Sequence, residues 1–145
     1  MDVIRRDTDY ALRLAAQLAG EYAAGTPLSA RVLARANHVS YPLACKLLQK
    51  LAAAGLVEST MGPKGGFALA CAPEHITFRQ VIEAVQGPIS VVRCLMGDFN
   101  CPMKTRCPVG PKLGQMQEQI NGFLKDVTLA EFLKTKGTEN NGSNT

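Results

Sequence analysis

Three cysteines fall within one short stretch, "RCLMGDFNCPMKTRCP", at Cys94, Cys101 and Cys107. Six residues separate the first pair and five the second. Thiolates are soft ligands, and three in one loop select zinc or an iron–sulfur cluster. The closely spaced Cys-x2-Cys knuckle of structural zinc sites is absent. Wider spacings suit a larger object than one ion. Three free thiols, or one redox disulfide plus a spare, are the plainer alternatives. Three thiols leave one ligand position open, and Asp98 is a local oxygen donor. Cys45, Cys71, His38 and His75 read as packing or surface residues.

The elements that must hold this loop follow from patterning. The 145 residues suit one domain with an appendage, and a 46% hydrophobic content supports a core. No run reaches the length of a membrane span. The N-terminus carries charges where a signal peptide needs an apolar stretch, so a cytoplasmic protein without membrane association is expected.

Residues 9–24 predict a first helix, stopped by Gly25 and Pro27. Ser29 caps a short second helix with Val32, Leu33 and Ala36 inward. Ser40 caps a third, with Pro42 in its first turn and Leu43, Leu47, Leu48 and Leu51 inward. "LVESTMGPKGGFALA" predicts a hairpin, with strands 56–60 and 67–70 around a glycine turn. Three short helices followed by a hairpin predict a winged helix-turn-helix.

A capping box at Thr77 and Gln80 opens a fourth helix. A fifth, over residues 111–124, carries Leu113, Met116, Ile120 and Phe123 at seam spacing. A second copy of the chain is the expected cover for that stripe, with packing against the first helix as the alternative. Thr128 and Glu131 form a second capping box for a last short helix. The tail, 134–145, is polar and expected to be disordered. The expected fold is therefore mainly α: a winged helix-turn-helix over 1–74, then a cysteine loop and a long C-terminal dimerisation helix over 75–133.

Charge points to the partner. Residues 28–66 hold five basic residues (Arg31, Arg35, Lys46, Lys50, Lys64) and one acidic residue, Glu58. Residues 67–145 hold eight basic and seven acidic. The positive excess lies on the helix-turn-helix and wing, which suits double-stranded DNA. Ser40, Tyr41, Lys46, Gln49 and Lys50 are the expected groove-facing residues, and Lys64 at the wing tip is expected to meet phosphate. No Ser/His/Asp set, paired carboxylates or nucleotide-binding glycine loop suggests an enzyme.

"DTDYALRL", the wing sequence, the cysteine triplet and "VTLAEFL" together resemble the IscR/NsrR family of bacterial transcription regulators, the Rrf-type repressors. The resemblance spans residues 7–133. It implies a homodimeric repressor whose cysteine loop holds a 2Fe–2S or 4Fe–4S cluster on Cys94, Cys101 and Cys107. The IscR-like branch supplies a histidine three residues after the last cysteine; Gly110 stands there in this chain. The NsrR-like branch uses an aspartate near the N-terminus of the partner subunit, and its pattern matches Thr8-Asp9-Tyr10-Ala11-Leu12. That nominates Asp9 as fourth ligand; a residue favoured by the helix dipole is the alternative. Redox state, nitric oxide or iron status is the implied signal. Met61 replaces a wing arginine common in relatives, and Cys45 replaces a glutamate on the third helix, so no operator sequence carries over. A zinc- or thiol-based repressor of the same fold is the competing reading.

Overall fold

The computed structural model describes residues 2–92, 102–103 and 105–134. Helix starts are set locally. The Ser29 hydroxyl accepts the Val32 N–H at 3.2 Å and opens α2 (Ala30–Ala36). The Ser40 hydroxyl accepts the Leu43 N–H at 3.3 Å and opens α3 (Tyr41–Ala53). Each side chain satisfies an amide that the first helical turn leaves unpaired. The turn between α2 and α3 passes through His38 at φ 55°, a left-handed residue. Asn37 steadies it, donating to the Gln17 side chain at 2.6 Å and to the Leu33 carbonyl at 2.9 Å.

The first helix, α1, spans Arg6–Tyr22, starting three residues before the expected boundary. Asp7 and Asp9 lie in its first turn, where the helix dipole favours acids. The amide of Arg5, just before the helix, donates to Gln86 at 3.0 Å. That partner lies too far along the chain for a local pattern to reveal.

The hairpin pairs β1 (Val57–Thr60) with β2 (Gly66–Leu69) in antiparallel register, Val57 opposite Leu69. Leu28 adds a third edge. Its N–H donates to the Phe67 carbonyl at 2.9 Å and its carbonyl accepts from Phe67 at 2.7 Å. Gly66 permits this approach: φ is 153°, and an added Cβ would lie 2.6 Å from the Leu28 carbonyl atoms.

A 3-10 turn (Pro73–His75) leads to α4 (Phe78–Val85), which opens on a complete capping box. The Thr77 N–H donates to Gln80 Oε1 at 2.8 Å, and the Gln80 N–H to Thr77 Oγ1 at 3.1 Å. Helix α5 spans Gly110–Asp126 and α6 spans Glu131–Lys134. Thr128 is used differently from the expected second capping box. It pairs with Thr77 in an antiparallel bridge, and α6 opens on a backbone bond from the Glu131 N–H to the Thr128 carbonyl at 3.2 Å.

The main core joins Leu14 and Leu18 of α1, Leu33 of α2, and Leu47, Leu48 and Leu51 of α3 to Ile76, Val81 and Leu129. It runs without a break from the helix-turn-helix into the later segment. A satellite cluster of Ile82, Ile89 and Leu124 gathers Ile4, Leu12, Phe78 and Ile120, seating α5 on α4 and α1. The inward face of α2 differs from expectation. Ala30, Leu33 and Ala34 are buried, whereas Val32 is 50% exposed and Ala36 is exposed. A seven-residue helix rich in alanine offers too few large apolar side chains to fix its phase. The α5 stripe also divides. Ile120 packs within the chain, while Met116 and Phe123 are 49% and 62% exposed. Cys94, Cys101, Asp98 and tail residues 135–145 lie outside the described residues.

Candidate nucleic-acid interface and metal ligands

Burial of Ala44, Leu47, Leu48 and Leu51 fixes which face of α3 looks outward. Tyr41, Lys46 and Gln49 lie on that exposed face, with Ser40 at its leading end. Ser40 is exposed, but its hydroxyl serves the helix cap. Lys64 and the 92% exposed Met61 mark the wing tip. Lys50 is half-buried, and its ammonium donates to the Val85 carbonyl at the end of α4, 3.5 Å away.

Tyr41 meets a cation from the neighbouring helix. The Arg31 guanidinium lies over its ring, 4.4 Å from the centroid. Hydrogen bonding with the Cys45 side chain raises the phenol above its ordinary pKa, the Cys45 charge adds to that, and Arg31 acts in the opposite direction. Arg31 was legible only as one basic residue among five. Its pairing with Tyr41 depends on how α2 packs across α3. Cys45 and Cys71 are half-buried against the core edge, in keeping with packing roles.

Of the three loop cysteines, Cys107 is described. It is a half-buried free thiol just before α5. A Cβ added to Gly110 would make ordinary van der Waals contact with Cys107, 3.5 Å from its Cβ and 3.8 Å from its sulfur. Among the described residues, no three His, Cys, Asp or Glu side chains gather as a metal site. Asp9 is exposed and pairs with Arg13 at 2.8 Å. It lines an open cleft of about 510 Å³ with Asp2, Ile4, Arg6 and Leu12. An exposed pair of this kind is worth about 0–1 kcal/mol, so Arg13 does not lock Asp9 away from another ligand.

Two glutamines brace the approaches to the loop. Gln86 accepts the Arg5 N–H and donates to the Val3 carbonyl at 2.9 Å. Gln117 on α5 accepts the Val91 N–H at 2.7 Å and donates to the Ile89 carbonyl at 2.8 Å. Neither role was visible in the sequence, because each needs its partner's backbone in place.

Comparison with known proteins decides the lineage. Residues 4–135 match the Rrf2 family, described as an iron-dependent transcriptional regulator. The chain belongs to the Rrf2 family. The IscR regulator of Vibrio atlanticus is 36% identical over 89 residues, covering 61% of this chain and 51% of that protein. This Rrf2 chain thus spans about half the length of that relative. Among solved structures, CymR, the global cysteine regulator of B. subtilis, superposes with a TM-score of 0.75 at 28% identity, covering 92% of this chain and 98% of that one. IscR of T. potens superposes at 0.73, covering 96% and 93%; at 23% identity it speaks for the fold alone. The expected winged helix-turn-helix is thus the fold of this Rrf2 protein. Its family is one of DNA-binding transcription regulators. No helix among the described residues is long and apolar enough to cross a membrane.

Proposed function

We propose that this Rrf2 protein is a homodimeric repressor that reads operator DNA with α3 and its wing, and reports redox state, nitric oxide or iron status through an iron–sulfur cluster. Ser40, Tyr41, Lys46, Gln49, Lys50 and Lys64 are its DNA-facing residues. Cys94, Cys101 and Cys107 hold the cluster, with Asp9 of the partner subunit as fourth ligand. The observation that carries the metal reading is the cysteine triplet, Cys94, Cys101 and Cys107. When bound, an iron–sulfur cluster supplies a centre that responds to oxidants and nitric oxide.

The chain's own residues give that site mechanical reach. Gln117 fastens the backbone just before the cysteine stretch to α5. Lys50 fastens α3 to the end of α4, and Gln86 fastens the same end to the start of α1. A change at the loop therefore meets a bonded route toward the DNA-facing helix. Differential DNA affinity between the two states of the loop makes the protein a switch.

The test is anaerobic purification, followed by an absorption spectrum and counts of iron, sulfide and zinc per chain. Iron with sulfide supports the cluster, and its loss in Cys107→Ser assigns the ligand. A colourless protein that takes up no iron on reconstitution sinks the cluster reading. Stoichiometric zinc, or thiols alone, would favour the zinc- or thiol-based repressor instead.

A further inference from the structure

Arg31 lies in the first turn of α2, the helix that precedes the DNA-reading helix. Its guanidinium carbon lies over the ring of Tyr41, at the start of α3, 4.4 Å from the centroid. A guanidinium held over an aromatic ring still offers N–H donors in the rigid fork that fits phosphate. Arg31 is exposed and makes no ion pair among the described residues. Glu58 is the only acid from residue 28 to residue 66. The cation therefore stands in a basic field on the docking side. In helix-turn-helix docking, the first helix of the motif crosses the DNA backbone while the start of the second reaches the bases.

We propose that Arg31 is a DNA-phosphate contact and that Tyr41 is its positioning residue, holding the guanidinium by its ring. This assignment rests on the DNA-binding reading of α3. The arrangement gives Tyr41 a role that needs no base of its own: it fixes where a cation from the neighbouring helix meets the backbone. Without the ring, Arg31 is a long side chain that must be ordered at the moment of binding, at the entropic cost usual for such chains.

The experiment measures affinity and its salt dependence on two duplexes: one selected by the wild-type protein from a random pool, and one of unselected sequence. Arg31→Ala should weaken both by about tenfold, the loss of one charge-assisted hydrogen bond. It should also reduce the slope of log affinity against log salt by about one. Tyr41→Ala should reproduce most of that loss, Tyr41→Phe should retain wild-type behaviour, and the double Ala variant should be less than additive. Unchanged melting temperatures would confirm that folding is intact. If Arg31→Ala keeps the wild-type slope, the phosphate assignment is overturned. The same holds if its loss is confined to the selected duplex, which would mark a base contact. Additive losses would remove the positioning role of Tyr41. A wild-type protein that binds neither duplex would overturn the DNA-binding reading itself.

Discussion

The Gln86 side chain closes a two-point clamp on the strand of chain that leads into α1, accepting the Arg5 N–H at 3.0 Å while donating to the Val3 carbonyl at 2.9 Å. It copies the pairing of a β-ladder with an amide side chain. The clamp joins the end of α4 to the segment that presents Asp9. Gln86→Ala should lower stability by about 1 kcal/mol, since two exposed neutral bonds are lost. It should also speed hydrogen exchange at the Arg5 amide well beyond the global change. Equal protection at Arg5 in both proteins would show that the clamp carries no load.

Lys46 and Lys50 are four residues apart on α3 but have different surroundings. Lys46 is exposed, whereas Lys50 reaches back to the Val85 carbonyl. Lys46→Ala should reduce the salt slope of DNA binding by about one, with stability changed by less than about 0.5 kcal/mol. Lys50→Ala should cost about 1 kcal/mol of stability and change the slope less. Denaturant melts beside salt titrations separate the two, and identical behaviour of both variants would contradict the geometry.

Phe123 and Met116 leave an apolar stripe on α5 open to solvent in the single chain. Phe123→Asp places a charge on the surface a second copy is expected to cover. Sedimentation should show the variant as a monomer at concentrations where the wild type is a dimer, with weakened binding to a two-half-site duplex. The isolated fold should survive, because the side chain is outside the core. An unchanged dimer would place the interface elsewhere.

Tyr41 offers a test with a defined sign. Hydrogen bonding with Cys45 raises its phenol pKa in the folded protein, so the protonated form is favoured there. Its contribution to stability is full below the ordinary tyrosine value of about 10 and is lost as pH climbs through the raised value. In difference titrations of phenolate absorbance against Tyr41→Phe, Cys45→Ala should bring Tyr41 down. Arg31→Ala should move it further up, since the guanidinium opposes the shift. Movement of either variant in the reverse direction would contradict the packing described here.

What the sequence made legible was what depends on neighbours a few residues apart. The caps at Ser29 and Ser40 and the box at Thr77 and Gln80 stand where their spacing predicts. The hairpin follows from its glycine turn. The phase of α2 was missed because alanines carry little directional signal, leaving Val32 and Ala36 outside. Thr128 fits a capping pattern, yet it lies in a bridge opposite Thr77, flanked by backbone bonds from Phe78 to Val127 and from Leu129 to Ile76. Arg31 on Tyr41, Lys50 on Val85 and Gln117 on Val91 each join elements whose approach only the assembled core determines. For the proposed metal site, the surroundings of Cys107 and Asp9 are described, whereas the ligand roles of all four residues rest on spacing and family resemblance.

Leu28 stitches the wing to the lead-in of α2, through two backbone bonds that the bare Gly66 lets close. Wing and helix-turn-helix are thereby joined into a single reading head. In the homodimer proposed above, two such heads would act like the points of a pair of callipers. In that reading a signal would act on the opening between the points, and an operator would be recognised by the gap it spans as well as by the bases it presents.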